Sequence, residues 1–320
     1  MHKANLDVAV ALIFFTRSET LKEVFSRIKI AKPTKLFLIQ DGARVGNKSD
    51  IKKIQECRDI VEEIDWECEV YKNYSDVNLG CGMRPQTGIS WVFEHVDKAI
   101  ILEDDCVPTQ SFFPFCKEML ERYENDLRIG IISGFNYFQE YDFGGYSYGF
   151  VKTGGIWGWA TWKDRWLKYD FTIDRINDSY VKKNLYLDIS PNFAAKRRIK
   201  TWEEANIEIN QNENVSYWDY QWGFVRHINS WLSIVPKYSQ ISNIGIGNDA
   251  THSGNNLRSL PKRVANFFFM DLKELELPLK HPDMVIPNRS YDSEYYKIIY
   301  PKNIFIRLYR KIARRFKKYN

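Results

Sequence analysis

The residues of this sequence whose types and spacing are best suited to chemistry are three consecutive carboxylates, Glu103, Asp104 and Asp105. They directly follow the apolar residues 99–102, a pattern typical of a short buried strand. Adjacent carboxylates repel one another, and a divalent cation is the natural way to neutralise them. Such oxygen ligands suit Mg²⁺ or Mn²⁺, which bind through one or two carboxylates together with substrate phosphates. An acidic turn that caps the next helix is the alternative interpretation.

Polar residues also end the two earlier apolar runs. The apolar run at residues 8–16 ends at Thr16 and is followed by Arg17. The run at residues 35–40 is followed by Asp41. In an open parallel sheet, ligands bind beyond the carboxyl ends of the strands. These polar residues and the three carboxylates are therefore predicted to surround one ligand.

The elements that must position these residues alternate through the first half of the chain. Apolar runs predict strands at 8–16, 35–40, 67–74, 99–102 and 129–133, and helices at 18–28, 50–64, 88–95 and 110–124. This alternation predicts an α/β fold, with a mainly parallel sheet flanked by helices. From about residue 136 the pattern becomes rich in Gly and aromatic residues. It recovers as a predicted helix at 216–230 and a strand at 232–236.

Several classes of chemistry are unsupported by the sequence. There is no G-x-x-x-x-G-K-[ST], no G-x-G-x-x-G after the first strand and no G-x-S-x-G. Phosphate-loop, dinucleotide and serine-hydrolase mechanisms are therefore disfavoured. A hydrophobic fraction of 44% and a charged fraction of 27% are typical of a folded domain. What remains is a nucleotide diphosphate held by a metal ion, with the nucleoside bound by the other strand ends.

The acidic cluster resembles the Glu-Asp-Asp segment of N-acetylglucosaminyltransferase I and related glycosyltransferases of the GT-A fold, among them bacterial family 2-like enzymes. Other segments resemble that family in the same order, namely Thr16-Arg17-Ser18, Gln40-Asp41-Gly42, Gly154-Gly155-Ile156-Trp157-Gly158-Trp159 and Tyr217-Trp218-Asp219-Tyr220-Gln221-Trp222. The resemblance covers residues 6–255 in pattern. It implies a GT-A fold and transfer of a sugar from a nucleotide-sugar, UDP being the favoured nucleotide.

The resemblance also assigns roles around the donor and the metal. It makes Asp105 the direct ligand of Mn²⁺ or Mg²⁺, with His252 as a second ligand from a Gly- and Asn-rich loop; an ordinary loop hydrogen bond is the alternative for that histidine. Donor-binding roles are implied for Thr16, Arg17, Asp41, Arg84, Glu103 and Asp104. Arg84 stands where the eukaryotic enzymes have His, a difference that bears on the choice of sugar.

A second set of residues is implied for the acceptor and for proton transfer. Gly155, Trp157 and Trp159 belong to the acceptor-binding loop. Asp219, between Trp218 and Trp222, is the predicted general base that takes the acceptor hydroxyl proton in an inverting reaction. A helix N-terminal carboxylate with no catalytic role is the alternative interpretation of Asp219.

These features predict a division of the chain and a function. Residues 1–135 form the nucleotide-sugar-binding half, 136–260 the acceptor-binding half, 261–297 an extension or linker, and 298–320 a basic amphipathic helix. The predicted function is inverting, metal-dependent transfer of a sugar to a glycan or lipid-linked acceptor in surface-polysaccharide synthesis. The alternatives are a nucleotidyltransferase that makes a nucleotide-sugar and a non-catalytic, membrane-bound carbohydrate-binding protein.

The last nineteen residues carry eight Lys or Arg and no acid, whereas the remainder of the chain is mildly acidic. A nucleic-acid-binding protein would place its positive charge on the folded body, so no nucleic-acid partner is expected. Phe305, Leu308, Ile312 and Phe316 recur at helical spacing, which predicts an interfacial helix on an anionic membrane. The odd number of Cys, without zinc spacing, indicates a reducing compartment. A peripheral position on the cytoplasmic face is the expectation.

Deletion of residues 302–320 should release the protein from anionic vesicles. Each cationic residue near such a surface contributes about 1 kcal/mol, and the attraction is screened by salt. Sedimentation with phosphatidylserine-containing vesicles, at low and high salt, measures the effect. Equal partitioning of the full-length and truncated proteins would contradict the membrane assignment. A large loss of thermal stability on truncation would instead show that this segment packs on the body.

Overall fold

The fold was determined as a computed structural model, which describes residues 2–212, 215–246, 257, 260 and 262–300. Four parallel strands and three connecting helices form the first half: β1 (Ala9–Phe14), α1 (Ser18–Ala31), β2 (Lys35–Gln40), α2 (Lys48–Val61), β3 (Glu69–Tyr74), α3 (Gly80–His95) and β4 (Lys98–Glu103). Strand β1 lies in the middle, with β2 on one side and β4 on the other. The carboxyl ends of β1 and β4 are therefore neighbours.

The second half extends the same sheet. It supplies β6 (Ile129–Ser133), β7 (Tyr148–Val151), β8 (Trp159–Trp162) and β9 (Leu232–Pro236), and the eight strands have the order β3-β2-β1-β4-β8-β6-β9-β7. Strands β7 and β8 run against their neighbours, whereas the other six are mutually parallel. The predicted α/β class, with a mainly parallel sheet flanked by helices, is confirmed.

The two faces of the sheet are covered by different helices. Alternate β1 residues point to opposite faces, so Val10 and Leu12 pack with α1, whereas Ala11 and Ile13 pack with α3.

The other helices are α4 (Phe112–Arg122), α5 (Lys163–Trp166), α6 (Ser179–Asp188), α7 (Asn192–Gln211), α8 (Asp219–Ile228), α9 (Lys262–Ala265) and α10 (Arg289–Ile299), with a 3-10 turn at Asp174–Asn177. A small antiparallel pair joins β5 (Cys106–Pro108) to β10 (Ile241–Asn243). This pair lies directly after the acidic cluster.

Agreement with the sequence-based elements is close where periodicity is strong and poor elsewhere. The bounds of β2, β6 and β9 are those predicted. Helix α3 begins at Gly80 rather than Gly88, because its Gly- and Pro-containing first turns are held by contacts from outside the helix. The region after residue 136, predicted as loops up to residue 216, contains β7, β8, α5, α6 and α7. The apolar pattern did not predict these elements because the strands are short and the helices have a large polar surface.

The described residues 262–297, part of the predicted extension or linker, pack on the rest of the fold. Phe267, Phe268 and Leu275 belong to the main core, and Tyr291 is fully buried. Helix α10 begins at Arg289, so a helix precedes the predicted start at 298, whereas residues 301–320 of the predicted amphipathic helix lie outside the described residues. Across the described chain, none of the helices has the length and apolarity that a bilayer crossing requires.

The side chain of Asp292 fixes α10 to the end of β7. Its carboxylate accepts hydrogen bonds from the backbone amides of Lys152 (3.1 Å) and Thr153 (2.9 Å) and from the Thr153 hydroxyl (2.8 Å). Asp292 is only 4% exposed, so water cannot replace these bonds.

Replacement of Asp292 by Ala should therefore lower the free energy of unfolding by about 2–4 kcal/mol, because it leaves buried donors without an acceptor. Urea denaturation measures the change. The matched control is Asp283→Ala, an exposed carboxylate in the same segment, which should cost less than about 0.5 kcal/mol. Similar small effects in both variants would contradict the docking of α10.

Candidate functional site

The guanidinium of Arg17 bridges the two aspartates of the acidic cluster. Arg17 follows β1 and the aspartates follow β4, so the parallel pairing of these strands brings them together. Arg17 donates one hydrogen bond to Asp104 Oδ1 and another, of 2.9 Å, to Asp105 Oδ2. Asp104 also accepts a bond of 3.2 Å from the backbone amide of Phe15. The guanidinium of Arg17 thus neutralises part of the negative charge of the two aspartates.

Glu103 lies beside this ion pair and has an unusual acidity. Burial and the neighbouring charges of Asp105 and Asp104 raise the pKa of Glu103 to about 8, although Arg17 acts in the opposite direction. The carboxylate of Asp219 also contributes to the rise. Asp219 is therefore close enough to interact with the acidic cluster, even though it lies more than a hundred residues further along the chain.

The β5/β10 pair encloses Asp105. The side-chain amide of Asn243 donates to Asp105 Oδ1 at 3.3 Å, and the backbone amide of Ile244 donates to the Asp105 carbonyl at 2.9 Å. A Cβ atom on Gly245 would lie 1.9 Å from Asp105 Oδ2, so only glycine fits there. Sequence reasoning missed Asn243 and Gly245; the Asn- and Gly-rich run that begins at residue 243 was the available pattern.

In the described part of the chain, no group of three or more His, Cys, Asp or Glu side chains is arranged so that it could hold a metal ion by itself. Both oxygens of Asp105 already accept hydrogen bonds, and His252 lies outside the described residues. One carboxylate with substrate phosphates is nevertheless a set that Mg²⁺ accepts. The residues present therefore fit a metal that arrives with a diphosphate.

Asp41 and Arg84 have internal contacts that give both a structural role. The Asp41 carboxylate accepts from the backbone amides of Leu79 and Gly80 at 2.8 Å each and so caps the start of α3. Burial raises the pKa of Asp41, and these amides oppose the rise. Arg84 is 5% exposed, and its guanidinium donates to the carbonyls of Gln40 and Asn73 at the ends of β2 and β3. Their nucleotide contacts stay predictions.

Close packing of α3 against residues 215–217, just before α8, positions Asp219. The Cys81 thiol donates to the Ser216 carbonyl at 3.0 Å, and a Cβ on Gly82 would lie 2.0 Å from the Val215 carbonyl oxygen. Asp219 is the first residue of α8 and is half-buried. The predicted base is thus brought to the acidic cluster. Thr16 is buried at the end of β1, beside Arg17, and its donor contact stays a prediction.

The predicted acceptor loop is divided between surface and core. The Trp157 ring is half-buried, with ring centroids 4.8 Å from Phe135 and 5.0 Å from Phe268. The Gly155 carbonyl accepts from the Ser133 hydroxyl at 2.8 Å. Trp159 is 0% exposed and stacks on Trp218, so its predicted acceptor contact is wrong: its position on β8 directs it into the core.

No protein-family model and no curated protein matches the chain. The galactosyltransferase LgtC, solved with donor and acceptor sugar analogues, is similar at 9% identity over 94% of this chain and 100% of that chain, with a TM-score of 0.36. UDP-glucose pyrophosphorylase complexed with UDP-glucose is similar at 7% identity over 72% and 91% of the two chains, with a TM-score of 0.34. The 4-diphosphocytidyl-2C-methyl-D-erythritol synthase of Anaerococcus prevotii DSM 20548 is 11% identical over 73% and 91%, with a TM-score of 0.30. Sequence identities and TM-scores this low do not identify an activity.

The acidity of Glu103 predicts a pH-dependent stability. Because the pKa of Glu103 is raised from 4.5 to about 8, the folded protein holds this proton more tightly than the unfolded chain does. The free energy of unfolding should then fall as pH rises from about 5 to about 8 in metal-free buffer.

Replacement of Glu103 by Gln should remove this component of the fall. At pH 8 the variant should exceed the wild type by about 1 kcal/mol or more, and at pH 4.5 the two should differ little. Urea denaturation in chelator across this range measures both proteins, with the exposed Glu94→Gln as the control. Parallel pH profiles for the wild type and Glu103→Gln would contradict the assignment.

Proposed function

We propose that this protein is an inverting, metal-dependent glycosyltransferase that uses a nucleotide-sugar. The observation that carries the proposal is the meeting of Arg17, Asp104 and Asp105 at the carboxyl ends of β1 and β4, beside Glu103, whose pKa the charge of the half-buried Asp219 helps to raise. This edge of a parallel sheet is where ligands bind. It combines a cation for a leaving diphosphate with a separate carboxylate for proton transfer.

The diphosphate side of the reaction requires positive charge. As the bond between the anomeric carbon and the diphosphate oxygen breaks, the leaving group gains negative charge, which Arg17 is placed to stabilise. A Mn²⁺ or Mg²⁺ ion bound through Asp105 and the diphosphate would supply further positive charge there. Glu103 and Asp104 are proposed to face the donor sugar and ribose.

The acceptor side requires a base. Asp219 takes the proton of the acceptor hydroxyl while that oxygen forms a bond to the anomeric carbon, from the face opposite to the departing diphosphate. The products are the glycoside with inverted configuration, the nucleoside diphosphate and a protonated Asp219, which returns its proton to water. The partly exposed ring of Trp157 is proposed to contact the acceptor, whereas the fully buried Trp159 cannot.

The partners follow from the same proposal. A UDP-sugar is the favoured donor, and a glycan or lipid-linked intermediate of a surface polysaccharide is the favoured acceptor. The basic segment 302–320 would hold the enzyme on the inner, cytoplasmic face of an anionic membrane.

A panel of UDP-, GDP-, dTDP- and CMP-sugars, incubated with Mn²⁺ or with chelator, tests the proposal through release of the nucleotide. We expect release from one nucleotide class, only with the metal, and faster release with acceptor present. Pyrophosphate release from a nucleoside triphosphate and a sugar phosphate would instead identify a nucleotidyltransferase. Sugar binding without any turnover would identify a binding protein.

Replacement of Asp219 by Asn should separate donor binding from chemistry. The amide keeps the shape but cannot accept the proton, so kcat should fall by roughly 10²–10⁴ while the Kd for the donor is retained. The surface variant Asp59→Asn on α2 should match the wild type in both. Transfer by Asp219→Asn within about tenfold of wild type would exclude Asp219 as the base, because general-base catalysis contributes more than that.

A further inference from the structure

Phe269 is an aromatic residue in an unfavourable position. Its backbone has a φ of 52°, in the left-handed region, and its side chain is 51% exposed. A bulky residue at positive φ is strained, and an exposed phenyl ring gains little from burial to offset that strain. Such strain is concentrated at functional sites, where the surrounding structure holds the residue in place.

Contacts to the candidate active site hold Phe269 in this conformation. Its backbone amide donates to the carbonyl of Asn243 at 3.0 Å, and the Asn243 side chain donates to Asp105. The preceding residue, Phe268, packs on the ring of Trp157. The exposed ring therefore belongs to a segment bonded to the residues around Asp105 and Trp157.

A surface cleft begins two residues further along the chain. Its volume is about 250 Å³, and its lining comprises Phe138, Gln139, Glu140, Tyr238, Asp271 and Lys273. The lining includes a second residue in the left-handed region, Gln139 (φ 63°), whose side chain donates to the Asp271 carbonyl at 2.9 Å. The ammonium of Lys273 lies 4.0 Å from the centroid of the Tyr238 ring.

The cleft lies on the same edge of the sheet as the acidic cluster. Its lining residues 138–140 follow the carboxyl end of β6, and Tyr238 follows that of β9. Both strands are parallel to β1 and β4, whose carboxyl ends carry Arg17 and Asp105. The acidic cluster, the cleft and Phe269, which is bonded to Asn243, therefore share one edge of the sheet.

We propose that Phe269 and this cleft form a second carbohydrate subsite, which binds a sugar of the acceptor glycan other than the one that reacts. An aromatic ring offers an apolar platform to the face of a sugar, whereas carboxylate, amide and ammonium groups bond its hydroxyls. The lining supplies each of these groups. This inference rests on the proposed transfer to a glycan acceptor, and it names the acceptor as an oligosaccharide chain rather than a single sugar.

Direct binding of oligosaccharides to the full chain tests the subsite without any turnover. Titration calorimetry with cellotetraose, maltotetraose and chitotetraose gives Kd values for the wild type and for Phe269→Gly. Glycine relieves the strain at positive φ, so its melting temperature should equal or exceed that of the wild type. The Kd of the best glycan should rise at least tenfold. Glu140→Ala, which removes a lining carboxylate, should also weaken binding, whereas Phe269→Tyr should preserve it.

The matched control is Tyr180→Ala on α6, which removes an aromatic ring that is 73% exposed and distant in sequence. It should leave every Kd unchanged. A Kd for Phe269→Gly within twofold of the wild type would overturn the subsite, as would the absence of binding of all three glycans to the wild type. Failure of the nucleotide-sugar panel alone would refute the transfer reaction and leave the measured glycan binding intact.

Discussion

The ion pair between Arg17 and the two aspartates is the constraint on which the rest of the site depends. Arg17 is largely buried, and the charges of Asp104 and Asp105 hold its pKa above the usual value despite the cost of burial. Removing one member of a buried ion pair leaves an uncompensated charge, which is strongly destabilising. The ends of β1 and β4 must therefore stay in register, and every other group at this edge is placed relative to them.

The surroundings of the ion pair are built from distant parts of the chain. Asn243 and Gly245 reach Asp105 because β10 pairs with β5, and Asp219 is positioned to interact with Glu103 because residues 215–217, just before α8, pack on the first turn of α3. Burial, together with the like-charged groups gathered in this way, raises the pKa of Glu103, as it does wherever carboxylates share a buried site. Such energetically costly arrangements are typical of functional sites, where they tune acidity for catalysis.

Only part of the candidate site could be predicted from sequence. The position of the three carboxylates after a buried strand was correct, and so was the placement of Arg17 beside them. The direct hydrogen bonds between Arg17 and the two aspartates are seen only in the structure, because Arg17 lies 88 residues from Asp105 and the pairing of β1 with β4 brings them together. The metal stays a prediction.

The sequence by itself determined the strands and helices of the first half, because their apolar periodicity depends on residues only two to four positions apart. It also determined which strand ends carry charge. Tertiary structure alone decided that Trp159 is core while Phe269 is exposed, and that Asp41 and Arg84 serve α3 and the strand ends. The reason is physical: burial and hydrogen-bond partners depend on which distant segments pack together, and aromatic or charged residues can occupy either environment.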